Sequence, residues 1–326
     1  MSASILFSRR EALRTITGAA VGVIAAGAQI SRGATSAVHW VPGLQLYTLG
    51  LTPKDDLAAS FAAVAAIGYR EVELPGHYDH TASDLRRLFD NAHLSCPAVH
   101  FAPRPIGGMW DLTGDLSRNV ADLKTLGASR AVVPIPFMPD RIYNILQHPP
   151  AGFDEAAAGK LFASLTADDW KRAADLLNEK GAIFAKAGVR LAHHNHGLDF
   201  VPLPGGTCGY RMLVELTDPR LVDFELDIGW AVSAGQDLPS LFKLSGERIR
   251  LLHLKDTKRR GKHAHDLAST DIGTGIVKWN EVVDLVRHNR IEHMFVEQET
   301  PFATTPIDAA KVDYRFLTKL FSGGAA

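Results

Sequence analysis

"TADDWKRAADLLNEKGAIFAKAGVRLAHHNH", residues 166–196, decides the fold. Thr166 stands where a helix N-cap belongs, acidic residues fill the first turn behind it, and Gly188 closes the segment. Straight after that glycine, Val189 to His194 is a short β-rich run. A helix therefore delivers the chain directly into a strand, and the question is whether the unit repeats.

It does. Candidate strands are Gly43 to Tyr47, Arg70 to Leu74, Pro97 to Phe101, Arg130 to Ile135, Val189 to His194, Val222 to Asp227, Ile249 to Lys255 and His293 to Glu299. Helical patterns lie between them. The first opens with Thr52 as N-cap and Pro53 at the first helical position and ends at Gly68. Others cover Ser83 to Asn91, Leu116 to Leu126, Leu238 to Leu244, Val277 to His288 and Ile307 to Phe321. The Pro- and Gly-rich stretch from Pro136 to Leu165 reads as a loop excursion after strand four. No linker of Pro, Ser and Gly interrupts the alternation, so residues 38–326 form one α/β domain. Eight strands followed by helices predict a (β/α)8 TIM barrel rather than an open doubly wound sheet.

The chain has 326 residues, 46% of them hydrophobic, which suffices for a large core. Its formal net charge of -1 offers no broad attraction for nucleic acid or an anionic membrane, so a small molecule is the expected partner. The two cysteines, Cys96 and Cys208, leave a single disulfide open and show no metal-type spacing. Near the N-terminus, Arg9 and Arg10 precede a weakly apolar Ala/Gly-rich run, the pattern of a twin-arginine export signal. Residues 1–37 are thus expected to be cleaved, with exits near Ala26–Ala28 or Thr35–Ala37, placing the mature protein in the periplasm or outside the cell. No stable membrane anchor would then remain, and homo-oligomerisation is left open.

In a (β/α)8 barrel, chemistry sits at the C-terminal ends of the strands. Late-strand polar residues occur on strands two (Glu71, Glu73), three (His100), five (His193, His194, then Asn195 and His196), six (Glu225, Asp227), seven (His253, Lys255, Asp256) and eight (Glu297, Gln298, Glu299). Side chains alternate across a strand, so 194 shares a face with 196, 225 with 227, 253 with 255 and 297 with 299. His194, Asp227, His253 and Glu297 then supply two imidazoles and two carboxylates from four consecutive strands. That donor set suits Mn²⁺, Zn²⁺, Co²⁺, Fe²⁺ or Mg²⁺.

The segments "GLQLYTL", "GYREVEL", "LGASRAVVP", "HHNHGLDF", "ELDIGW", "LLHLKD" and "FVEQE" run in order over almost the whole mature chain. Together they resemble the xylose isomerase-like TIM-barrel family, often called sugar phosphate isomerases/epimerases. The resemblance implies a divalent metal, Mn²⁺ first, held at the ends of strands five to eight and binding adjacent oxygens of a sugar. By position it implies His194, Asp227, His253 and Glu297 as ligands. Where epimerases of this family place a glutamate on strand five, this chain has His194, as in a subgroup with an "HNH" motif. One of two opposed acid/base carboxylates is thereby replaced, which weakens the implication of symmetric two-base epimerisation.

The expectation is a metal-dependent sugar isomerase or epimerase working through an enediolate-type intermediate, with Glu297, His194, Lys255 and Glu73 as candidate catalytic groups. His100, His196, Trp230 and Glu299 are candidate substrate contacts. Expelling a β-leaving group from the same intermediate would instead make it a lyase, or a hydrolase overall, acting on 3-keto glycosides. Export and the lack of a GxxxxGK[ST] loop argue against carrying over "phosphate" from the family name. Lys255 reads either as an oxyanion stabiliser or as an ion-pair partner of Glu297 or Glu299; Asp256 reads as belonging to a cap or turn, and His193 as facing the helical layer. Trp230, Trp110 and Phe101 read as walls for a sugar face or as core. Two other classes compete. A noncatalytic sugar-binding barrel would show no turnover. An abasic-site endonuclease would use the basic run at Lys258, Arg259, Arg260 and Lys262, which reads more simply as a solvated loop.

Overall fold

The computed structural model describes residues 42–323, so the twin-arginine segment and its cleavage positions lie outside the described residues. Eight parallel strands close into a barrel: β1 Gly43–Gln45, β2 Glu71–Leu74, β3 Ser95–Ala102, β4 Arg130–Val133, β5 Arg190–His194, β6 Val222–Asp227, β7 Ile249–Leu254 and β8 His293–Val296. Each pairs with its sequence neighbours, β8 pairs with β1, and the β2–β3 pairing completes the ring. This is the expected single-domain TIM barrel.

Eleven helices accompany the strands within the described residues: α1 Leu57–Ile67, α2 Ala82–Ala92, α3 Ser117–Leu126, α4 Asp140–Gln147, α5 Glu155–Phe162, α6 Ala167–Lys186, α7 Gly209–Leu216, α8 Ile228–Ser233, α9 Leu238–Ser245, α10 Trp279–His288 and α11 Pro306–Phe321. The α6–β5 unit follows its sequence signals. Thr166 and Asp169 form a reciprocal capping box, and Gly188 takes φ 78° to turn the chain into β5.

Two expectations are corrected. α1 begins five residues later than Thr52, because Thr52 closes a turn with Asp55 while the Asp56 side chain accepts from Ala59 N–H and caps the helix. The stretch from Pro136 to Leu165 is not one loop; it contains α4 and α5. Pro and Gly punctuate that stretch but stand outside the two helices except for Gly159, whose position abuts the His263 ring and leaves no room for a side chain. Asp154 caps α5 at Ala157 N–H, and Ile142, Ala158 and Phe162 bury the apolar sides.

Strand alternation divides the interior in two. Ala98, Val132, Ala192, Leu251 and Phe295 fill the floor of the barrel as one small cluster. Gly43 belongs to this floor because a Cβ there would meet the Phe295 ring at 2.7 Å. The residues of opposite phase, such as Val133, Leu191, Phe224, Leu252 and Met294, join the large core shared with the helices. Two positions further along β3, β5, β7 and β8, the inward row turns polar, with His100, His194, His253 and Glu297. That change from apolar floor to polar rim places the site.

Candidate metal centre and active site

The four residues singled out by strand phase converge. His194 Nε2 and His253 Nδ1 each lie 3.9 Å from Asp227 Oδ2, and His253 Nδ1 lies 2.7 Å from Glu297 Oε2. Metal–ligand bonds near 2.1 Å require donor separations of roughly 3.0–3.4 Å, and these distances bracket that range. Asp227 ends β6 as the N-cap of α8: Oδ1 accepts from Trp230 N–H at 2.8 Å, while the buried Oδ2 has no hydrogen-bond partner among the described residues. Its backbone is held by Asn195, whose carbonyl oxygen accepts from Asp227 N–H at 3.0 Å and whose amide donates to Asp227 C=O at 3.3 Å.

A second donor set, unforeseen as a whole, shares two of these residues. Glu225 Oε2 lies 2.9 Å from His194 Nδ1, 3.2 Å from His253 Nε2 and 3.5 Å from His100 Nε2. His100, His194, Glu225 and His253 could together hold an ion, as could Asp227, His253 and Glu297. Glu225 was legible as the in-phase partner of Asp227, yet strand phase alone gave no reason to choose it. Glu73 closes the ring, with Oε2 2.6 Å from His253 Nε2 and accepting from Gln45 Nε2 at 2.8 Å. Gln45, at the end of β1, carried no sequence signal beyond its position.

Charge is the decisive property of this site. Glu73, Glu225, Asp227 and Glu297 are buried and Glu299 stands beside them, whereas Lys255 is the one buried lysine among the described residues. Five carboxylates against one ammonium cannot be stable in a low-dielectric interior without further positive charge. The imidazoles respond to that demand. Burial opposes charge on His253, yet Glu225, Glu297 and Glu73 hold its pKa well above the ordinary value. Burial likewise opposes charge on His100, but Glu73 and Glu225 raise it to about 9. His194 goes the other way: burial first, then His253, His196 and His100, keep it neutral, the form a metal ligand needs. Burial raises Asp227 to about 6 against the pull of Lys255 and His253. Buried oxygens of Glu73 and Glu225 without hydrogen-bond partners among the described residues, an Asp227 Oδ2 met only by ionic contacts, an excess of negative charge and a nitrogen/oxygen donor set all fit a divalent cation.

The remaining candidates surround this centre. Lys255 Nζ makes ionic contacts at 3.0 Å to Asp227 and 2.9 Å to Glu297, while its aligned hydrogen bond goes to Glu299 Oε1 at 2.6 Å. His100, His194, His196, Trp230, Glu297 and Glu299 all line one cavity of about 570 Å³ over the strand ends. His196 packs against Trp230 at 5.3 Å, and burial followed by the Lys255 charge lowers its pKa to about 4. Trp110 and Phe101 are not walls of this cavity; they pack on each other at 6.1 Å, and Trp110 Nε1 donates to Asp122. His193 faces away from the barrel axis, where Nε2 meets Asp199 Oδ1 at 2.7 Å. Asp256 braces the turn before α10: its carboxylate accepts from the N–H groups of Gly273, Gly275 and Val277 and from Trp279 Nε1. None of the cations from Lys258 to Lys262 lines the main cavity, and Arg259 pairs with Asp266 at 2.8 Å. Cys96 and Cys208 are both free thiols.

Comparison with known proteins agrees with this architecture. The chain is similar to inosose dehydratase 2 of Bacillus cereus, 26% identical over 166 residues that cover 47% of this chain and 55% of that protein. The aligned part thus spans about half the length of that relative. An inosose dehydratase of Mesomycoplasma hyopneumoniae is 24% identical over 279 residues, covering 81% of this chain and 88% of its own. Among solved structures, a sugar phosphate isomerase/epimerase from Parabacteroides distasonis superposes with a TM-score of 0.66 at 22% identity, over 85% of this chain and 97% of that one. The family model described as xylose isomerase-like TIM barrel matches residues 61–320, and the chain belongs to that family.

Proposed function

We propose that this protein is a divalent-metal-dependent lyase acting on a keto sugar or cyclic keto-polyol, eliminating an oxygen substituent β to the carbonyl. The observation that carries the reading is the buried excess of carboxylates over Lys255, gathered around His194 and His253 beneath a ligand-sized cavity. An ion held by His194, Asp227, His253 and Glu297, with Mn²⁺ as the first choice, would polarise the carbonyl and a neighbouring hydroxyl and offset negative charge developing on oxygen.

The chain's own groups supply the proton movements. Glu297 Oε2 is engaged by His253 and Lys255, so Oε1 is the oxygen that takes the proton from the carbon beside the carbonyl. His100 lines the same cavity, with Nε2 between Glu73 at 3.3 Å and Glu225 at 3.5 Å. Those carboxylates keep the ring protonated, and its Nδ1 edge delivers a proton to the leaving oxygen. Lys255 holds Glu297 and Glu299 in place.

A carboxylate acceptor and an imidazolium donor form an asymmetric pair, which suits elimination better than the symmetric exchange of an epimerase. The relatives named inosose dehydratase favour the same branch. The decisive experiment incubates the Mn²⁺-loaded protein with keto-polyols and 3-keto glycosides in D₂O and follows product mass. Loss of water or an alcohol supports the lyase. A mass-neutral product carrying deuterium supports isomerisation or epimerisation instead. Export is part of the proposal, and cell fractionation with Arg9 and Arg10 changed to lysine tests it.

A further inference from the structure

The cavity above the charged centre has two unlike parts. Its floor is the polar cluster described above. Its upper walls come from the loops after the strands, with aromatic faces from Tyr47, Tyr78 and Trp230 and aliphatic ones from Leu51, Ile106 and Ile135. Among the described residues no lysine or arginine lines it, so its upper part offers no guanidinium or ammonium clamp for a phosphate. At about 570 Å³ the cavity is of the size that takes a drug-sized ligand, larger than a single sugar ring fills.

Two further observations describe the apolar part. Tyr47 and Ile106, which stand at its rim, are 58% and 36% exposed, so their apolar surface is open to a ligand entering the cavity. Tyr78 is buried with its hydroxyl lacking a partner among the described residues, and its backbone sits at φ 49°, a left-handed conformation that is costly for a bulky residue. Tyr78 thus gives the cavity wall a fixed aromatic side chain.

The geometry points to a substrate that is an unphosphorylated keto sugar joined through oxygen to a flat, apolar aglycone, with the sugar on the polar floor and the aglycone in the apolar gallery. This rests on the lyase reading above. In that reaction the C–H bond on the carbon between the carbonyl carbon and the glycosidic carbon breaks, with its proton passing to Glu297. The electron pair forms the C=C bond, the glycosidic C–O bond breaks, and the aglycone leaves as an alcohol or phenol after receiving a proton from His100. No oxidant or reductant is needed.

The test compares 2-phenylethyl and ethyl 3-keto-β-glucosides, whose leaving alcohols are of similar acidity, so that a difference reports the gallery and not leaving-group chemistry. Calorimetric Kd and, where turnover occurs, KM are measured on the Mn²⁺-loaded full chain. The phenylethyl compound is expected to bind about 10-fold tighter or better, in line with burial of its ring. Ile135→Asp is expected to erase that difference, and Ile106→Ser on the exposed rim to reduce it if the first variant fails to fold. Equal affinity for the two compounds overturns the aglycone site and leaves the lyase reading standing. Tighter phenylethyl binding with neither elimination nor deuterium uptake overturns the lyase reading and leaves the site.

Discussion

Asn195 clamps the backbone of Asp227 at both its N–H and its C=O, across the seam between β5 and β6. The asparagine inside "HHNH" is therefore what aims the Asp227 carboxylate, although it hydrogen-bonds to no other member of the donor sets. Asn195→Ala should strand two buried backbone groups, at a cost of about 1–3 kcal/mol each, and weaken metal binding about 10- to 100-fold. Thermal unfolding and a Mn²⁺ titration check this; unchanged metal affinity would show that Asp227 needs no such support.

Two overlapping donor sets make opposite demands on His100. If His194, Asp227, His253 and Glu297 hold the ion, then Asp227→Ala, Glu297→Ala and His194→Ala abolish bound metal with the fold retained. His100→Asn keeps the metal and slows elimination by about 10²- to 10⁴-fold, as expected for a lost general acid. Elemental analysis of the purified variants decides, and loss of metal from His100→Asn would transfer the site to the set centred on Glu225.

Lys255 is the resident counter-charge. Lys255→Met should cost the metal-free protein about 3–5 kcal/mol, because Asp227, Glu297 and Glu299 lose their shared cation. Saturating Mn²⁺ should then raise the Tm of the variant more than that of the unmodified protein. An equal metal-induced shift in both would mean that ion and ammonium do not compensate the same charges.

Metal uptake should release protons at neutral pH. Carboxylates hold the His253 pKa well above its ordinary range, so in the free protein the ring is protonated, and it must be neutral to bind an ion. Calorimetry in buffers of different ionisation enthalpy should report about one proton released per ion, and affinity should fall as the pH is lowered.

Away from the site, Asp313 has one buried oxygen accepting from Ile272 N–H at 2.7 Å and another without a partner among the described residues. Burial pushes its pKa to about 8, with Asp271 and Asp256 adding to the effect over the opposing hydrogen bond. An unfolded aspartate titrates near 4. Between those values the folded state holds one more proton than the unfolded state, so stability falls as pH rises from about 4 to about 8 and levels off above. Asp313→Asn should flatten that slope and raise the Tm at pH 8 by roughly several degrees. A lower Tm at pH 8 would show that the ionised carboxylate has a stabilising partner.

How far the chain could be read in advance follows from the range of each force. Helix caps and strand phase are local: Thr166 and Gly188 mark α6, and period-two alternation places His194, Asp227, His253 and Glu297 on the inside of consecutive strands. Local signals also misled. Thr52 and Asp56 are both good cap types, but Thr52 is taken up in a turn with Asp55, and α1 starts after Asp56, where Leu57, Phe61 and Val64 face the core. The Pro and Gly residues around α4 and α5 hid two helices whose apolar sides needed the barrel to bury them.

What the sequence by itself determined was the repeat of helix and strand, the closed barrel and the inward set of donors, because each depends on spacing along one segment. Tertiary structure alone decided the rest. Barrel closure brings Glu73 from β2 to 2.6 Å of His253 from β7, so the charge imbalance that calls for a cation exists only once strands distant in sequence share an interior. The apolar gallery is likewise assembled from several loops, none of which is apolar enough alone to announce a binding surface.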